Sequence, residues 1–189
     1  VLGALKKSFQ YGNAIKNGVA VALVGKPNAG KSSWINALTN DDISIVSTIA
    51  GTTRDKVEAR LNIEGVLFRL MDTAGIRATK DEIESIGVER AIQTIQQAEL
   101  VVFIFDVSTT SYTNFEEELR DIQAQNSKAP IIILANKYDL VAMNRISVDD
   151  RFNKHNNLHF ISAHQDTDVH DLKKEMLTTC SFSLKEKSN

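Results

Sequence analysis

Three unbroken apolar runs punctuate the chain, Val19–Val24, Leu100–Phe105 and Ile131–Ala135, with a shorter fourth at Leu158–Ile161. Runs of this length, bounded by turn residues, suit strands buried on both faces of a sheet. Two further strands are expected at Lys56–Ile63 and Val66–Met71, joined antiparallel by a tight turn at Glu64-Gly65. Between them, apolar residues at helical spacing predict helices over about Lys31–Leu38, Val88–Gln97, Phe115–Gln125 and Val169–Leu177. Leu2, Leu5 and Phe9 add a helical stretch at the start, broken at Asn17-Gly18. Residues 41–55 and 75–85 lack periodicity and read as loops, and the polar segment 181–189 reads as a disordered tail. Strands alternating with helices predict an α/β fold. Its six-stranded sheet is mostly parallel, with one antiparallel edge strand and helices on both faces. Ligands of such sheets bind beyond the carboxyl ends of the strands.

Every candidate motif falls at one of those ends. Gly25-Lys-Pro-Asn-Ala-Gly-Lys-Ser32 fits Gly-x4-Gly-Lys-Ser between a buried strand and a helix. Its glycines let backbone N–H groups turn inward around phosphate, and the helix that follows presents its positive end. Asn28, Ala29, Gly30, Lys31, Ser32 and Ser33 are therefore candidate phosphate contacts, with Lys31 on the β and γ phosphates and Ser32 on Mg²⁺. Asp72-Thr-Ala-Gly75 can hold Mg²⁺ through Asp72, and the Gly75 N–H can donate to a γ-phosphate oxygen. In the loop before it, Thr52 or Thr53 can complete the metal shell when triphosphate is bound, Thr53 being preferred. Asn136-Lys-Tyr-Asp139 follows the third apolar run. A carboxylate there can accept from both N1–H and the exocyclic amine of guanine, whereas adenine would oppose it lone pair to lone pair. Asn136 ties this loop to the phosphate loop or to the base edge, and the Lys137 stem covers the ring. A backbone N–H at Ser162-Ala163 can meet guanine O6.

Composition adds little to that picture. Of 189 residues, 42% are hydrophobic and 24% charged, which fits one globular domain with a full core. A net charge of -2 gives no broad pull toward nucleic acid or anionic membrane. No apolar run approaches the ~20 residues of a membrane span. The single cysteine, Cys180, cannot form an internal disulfide and has no zinc-like neighbours, so a cytoplasmic setting is expected.

Taken in order, these motifs resemble the TrmE-Era-EngA-like P-loop GTPases with a Ras-like fold. Among them the chain looks most like the G domain of the MnmE (TrmE) tRNA-modification GTPase family. The resemblance is carried by residues 25–33, by Ile49-Ala-Gly-Thr-Thr-Arg-Asp55, by Asp72-Thr-Ala-Gly-Ile-Arg77, and by the stretch Asp81–Ala91. It covers about residues 15–178, and Trp34 and Lys26 stand where the family more often has Leu and Arg. It implies a remnant of a flanking helical domain at 1–17, a GTP-binding G domain at 18–180, and a piece cut from a longer protein. The family's folate-binding domain and C-terminal cysteine motif have no counterpart in this sequence.

The resemblance also implies how hydrolysis proceeds. Many small GTPases place Gln after Asp-x-x-Gly to orient the attacking water, but Ile76 holds that position and can neither donate nor accept. By resemblance Glu84 takes the role through a bridging water, with Lys31 and Gly75 as its catalytic partners. A K⁺ ion replaces an arginine finger, held by Asn28 and by carbonyls near Ser47 and Ile49, and is ordered when two G domains dimerise. The full-length protein is expected to act with the FAD-containing partner MnmG (GidA) on the wobble uridine of tRNA. A GTP-binding switch or scaffold without catalysis is the alternative reading.

Overall fold

A computed structural model describes residues 18–40, 59–71, 84–144 and 147–186. The elements in chain order are β1 (Val19–Val24), α1 (Lys31–Asn40), β2 (Ala59–Ile63), β3 (Val66–Met71), α2 (Glu84–Gln97), β4 (Leu100–Asp106) and α3 (Tyr112–Gln125). They are followed by β5 (Ile131–Asn136), α4 (Tyr138–Asn144), a 3-10 turn (Asp150–Lys154), β6 (Leu158–Phe160) and α5 (Asp166–Glu186). One six-stranded sheet runs in the order β2-β3-β1-β4-β5-β6. Only the β2–β3 pairing is antiparallel among the described strands. Its turn has φ > 0 at both central residues, Glu64 (49°) and Gly65 (84°), which matches the twist of a hairpin. The Asn62 carboxamide closes it, accepting from the Gly65 N–H at 2.9 Å.

β1 throughout, and β4 and β5 up to their last residues, are apolar because both sheet faces are covered. Val19, Val21 and Leu23 join Trp34 and Leu38 of α1 and Val169, Leu172 and Met176 of α5 in one core. Ala20, Ala22 and Val24 face the other, with Ile95 of α2 and Phe115, Leu119 and Ile122 of α3. Phe103, Phe105, Phe115 and Phe152 meet there with ring centroids 4.9 to 5.9 Å apart. Truncating a fully buried member such as Phe115 to Ala would cost about 3–5 kcal/mol.

Helix ends are where the pattern of apolar residues misjudges the chain. Periodicity places the start of α3 at Phe115, but the Ser111 side chain accepts from the Asn114 N–H and caps the helix three residues earlier. α2 begins at Glu84 and not Val88, because the single apolar residue of its first turn, Ile86, has no apolar residue three or four positions later to show a period. α4 and the 3-10 turn are too short to show a period at all, and the latter is set by Asp149 accepting from the Arg151 N–H. α5 continues to Glu186, so residues 181–186, expected in a disordered tail, are helical. From Asp166 to Glu186 there is no Gly or Pro to stop it, and Asp166 and Asp168 suit its positive end. Residues 187–189 and the expected helix at 1–17 lie outside the described residues, as does the first part of the expected strand at Lys56. Cys180 is buried in the first core, and burial foremost, with Glu99 adding to it, pushes its thiol up to about 12. No helix among the described residues is long and apolar enough to cross a membrane.

Candidate functional site

The sheet order turns around β1: β3 lies on one side of it and β4 on the other. Such a reversal opens a crevice at the carboxyl ends of the strands, and the loop leaving β1 runs into it. Gly25 (φ 145°) passes so close to β4 that an added Cβ would collide with the Ile104 carbonyl oxygen. Asn28 (φ 65°) and Gly30 (φ 104°) give the loop its inward curl, and Ala29 is buried beneath it. The first helical bond of α1 is from the Trp34 N–H to the Gly30 carbonyl at 3.0 Å. The N–H groups of Lys31, Ser32 and Ser33 therefore precede the helical ladder, and no acidic residue occupies that first turn. Such an end attracts anions.

The Lys31 ammonium lies inside the curl, donating to the carbonyls of Gly25 (2.5 Å) and Lys26 (2.7 Å). Burial lowers its pKa from the ordinary lysine value. Ser32 and Ser33 are exposed at the helix start. A hydroxyl there, adjoining a cationic anion-binding loop, fits a magnesium ion shared with phosphate. The other residues assigned to that ion, Thr53 and Asp72, lie outside the described residues. So do Thr52, Gly75, Ser47 and Ile49. Among the described residues no group of three or more His, Cys, Asp or Glu side chains forms a metal cage of its own.

The ends of β4 and β5 supply the second wall. Asp106 and Asn136 are paired across these strands. Asn136 is 2% exposed; its Oδ1 accepts from Trp34 Nε1 at 3.0 Å and its Nδ2 donates to the Ala29 carbonyl at 2.8 Å. Of the two roles considered for this side chain, tying the loops together is the one it performs. Lys137 (φ 62°) turns the chain sharply, and its ammonium donates to Asp106 Oδ2 at 2.7 Å. Burial alone would raise the Asp106 carboxyl, but hydrogen bonds from Lys137 and from the Ser108 hydroxyl (2.6 Å) and N–H (3.0 Å) outweigh it and lower its pKa. The Lys137 stem is thereby stretched along the cleft. Asp139 follows in the first turn of α4.

A third wall comes from the turn after β6. Tyr138 N–H donates to the Ile161 carbonyl at 3.2 Å, joining the two loops. The Ser162 N–H donates to Asp168 Oδ2 at 2.7 Å, so it is engaged by α5. Ala163 is left as the donor of the pair for an incoming carbonyl oxygen. These walls enclose a cleft of about 120 Å³: Gly30 and Ser33 on the first, Asn136, Lys137 and Asp139 on the second, Ser162, Ala163 and His164 on the third. Motifs separated by more than a hundred residues in the chain thus share one cavity. Asn28 stands exposed on the loop rim. Glu84 is the first residue of α2, and its side chain lies outside what the structure describes.

Three contributors escaped the sequence reading. Asp106 carried a signal, since it ends an apolar strand and precedes Ser108 by two residues. Asp168 could have been read as a helix-start carboxylate facing the preceding turn. Trp34 gave only its rarity at that position, because nothing in the sequence joins it to Asn136.

The family model described as 50S ribosome-binding GTPase matches residues 20–137. The chain is 42% identical over 182 residues to the tRNA modification GTPase MnmE of Cytophaga hutchinsonii, covering 96% of this chain and 38% of that protein. It is 41% identical to MnmE of Aquifex aeolicus, covering 100% of this chain and 40% of that one. The chain thus spans about two fifths of the length of these relatives. Among solved structures, Era in complex with MgGDPNP and a segment of 16S ribosomal RNA is similar with a TM-score of 0.61 and 32% identity, over 85% of this chain and 56% of that one. The FeoB G-domain of Methanococcus jannaschii shares the fold, with a TM-score of 0.59 and 24% identity, over 86% of this chain and 98% of that one. With its Ras-like sheet and its sequence likeness to the MnmE G domain, the chain belongs to the GTPase family that this model describes, enzymes that cleave GTP to GDP and phosphate.

Proposed function

We propose that residues 18–180 form the G domain of an MnmE-type protein, reading guanine through Asp139 and hydrolysing GTP with Mg²⁺ and K⁺. The observation that carries this reading is the single cleft in which the phosphate loop, Asn136 to Asp139 and Ser162-Ala163 converge. Asp139 accepts from the two adjacent donors of guanine, a charge-assisted pair that adenine cannot make. Ala163 offers its N–H to O6, and the Lys137 stem covers one ring face. The α1 end and the Lys31 ammonium hold the triphosphate, exchanging the carbonyls of Gly25 and Lys26 for phosphate oxygens.

Ser32, Thr53 and Asp72 would hold Mg²⁺, and Asn28 with carbonyls near Ser47 and Ile49 would hold K⁺. When bound, these ions supply positive charge at the phosphates in place of an arginine finger. Glu84 orients the attacking water through a second water, since Ile76 cannot, and Gly75 donates to the γ-phosphate. Transient dimerisation of two G domains across their nucleotides brings the potassium loop into order. Within the longer protein, with 1–17 as the end of a helical domain, the GTPase cycle serves cytoplasmic tRNA modification with MnmG (GidA).

The test is GTP turnover in K⁺ and in Na⁺ at matched ionic strength, across protein concentrations. Turnover that rises with concentration in K⁺ only supports dimer-assisted catalysis. Equal rates in the two salts contradict the potassium role. Glu84→Ala is expected to abolish turnover while GTP binding persists; unchanged turnover would remove Glu84 from the mechanism.

A further inference from the structure

Trp34 is the chain's single tryptophan, and its side chain is completely buried. It sits in the first turn of α1, whose N–H groups face the phosphate loop, yet its indole reaches across to the end of β5. Its Nε1 is 3.0 Å from Asn136 Oδ1. The other half of that carboxamide donates to the Ala29 carbonyl at 2.8 Å, and Gly30 makes room for it, since an added Cβ would strike Asn136 Nδ2.

These neighbours leave the amide one orientation. An indole N–H can only donate, so it must meet the amide oxygen; a backbone carbonyl can only accept, so it must meet the amide nitrogen. Without the indole donor, Oδ1 would lose this hydrogen bond in a site that is 2% exposed. A buried acceptor in that state is costly, and the side chain would rotate or withdraw to relieve it. Asn136 begins the turn that carries Lys137 at φ 62° and places Asp139. Whatever moves Asn136 moves the base-reading carboxylate.

We propose that Trp34 is a positioning residue for guanine recognition: from the phosphate-binding helix it fixes the Asn136 amide, and through it the turn that aims Asp139. The proposal rests on the assignment of Asp139 as the base reader. It also gives the phosphate helix a direct mechanical link to the base loop, so that displacement of α1 is felt at the base.

Two variants separate the hydrogen bond from packing. Trp34→Phe removes the donor and part of the ring. Replacing the sole tryptophan with β-(3-benzothienyl)alanine keeps the bicyclic volume and deletes only the N–H, which decides the matter if Trp34→Phe fails to fold. Binding of GDP, inosine diphosphate (which lacks the exocyclic amine) and inorganic pyrophosphate is measured by calorimetry on each folded protein. Loss of the donor is expected to weaken GDP about tenfold and to lower the preference for GDP over inosine diphosphate roughly threefold or more. Pyrophosphate binding stays unchanged. An unaltered GDP affinity and preference would overturn the proposal, and so would an equal loss for all three ligands, which marks a purely structural role. If wild-type protein binds ADP as well as GDP, the base-reader assignment itself is what fails.

Discussion

Asn136 concentrates two buried polar contacts in one side chain, and Asn136→Ala should unmake both. In the nucleotide-free protein the substitution leaves the Trp34 indole N–H and the Ala29 carbonyl facing a small void in a site that is 2% exposed. A buried partner left unsatisfied costs about 1–3 kcal/mol. Two of them set the expected loss at roughly 2–6 kcal/mol, with the lower end applying if a water enters the space and bridges the pair. Set against the ~5–15 kcal/mol total stability of a domain, that is a large fraction. For a chain of this size it corresponds to a drop in Tm of roughly 4–24 °C. Urea unfolding, followed by both tryptophan fluorescence and far-ultraviolet circular dichroism, gives the number directly, provided the slope with denaturant matches wild type. A loss below about 0.5 kcal/mol would refute the reasoning, because it would mean that neither contact is held in a desolvated site.

Two further outcomes follow from the same geometry. Gly30→Ala places a methyl group against Asn136 Nδ2 at a backbone φ of 104° that L residues rarely adopt, so GDP affinity should fall at least about tenfold; a titration showing wild-type affinity would contradict that close approach. Asp106 has a depressed pKa in the folded state, so its contribution to stability is present above the ordinary carboxylate value of 3.8 and is lost as pH falls through the folded value. Asp106→Asn should therefore destabilise the protein near neutral pH by about 1 kcal/mol, discounted for partial exposure, and the gap should close as pH falls below the lowered folded value. A pH-independent difference in urea midpoints would argue against the Lys137 pair.

Much of this fold is legible in the chain because its strongest signals are long-range in consequence but local in form. Val19–Val24 begins and ends where its apolar run does, since a strand buried on both faces favours apolar residues throughout, and Val66–Met71 keeps its expected bounds although Arg69 interrupts its apolar residues. The hairpin at Glu64-Gly65 is likewise local. What escapes is decided by contacts between distant segments. The start of α3 depends on one capping serine, and α5 runs into a polar stretch because nothing stops it. At the site, the phosphate loop and the Asn-Lys-x-Asp turn are readable because each needs particular residue types at fixed spacing. Trp34 is not, since its partner lies 102 residues away. Nor is the engagement of the Ser162 N–H by Asp168. Both are pairings that only the folded chain creates.

Which purine the cleft selects is the most direct test of Asp139 as the base reader. Binding of GDP, ADP and xanthosine diphosphate should be measured by competition on wild type and on Asp139→Asn. Wild type should favour GDP over the other two by about a hundredfold or more. The variant should turn that preference toward xanthine, whose O2 can accept from the new amide. Wild-type protein that binds ADP and GDP alike, or a variant that keeps its guanine preference, would contradict it.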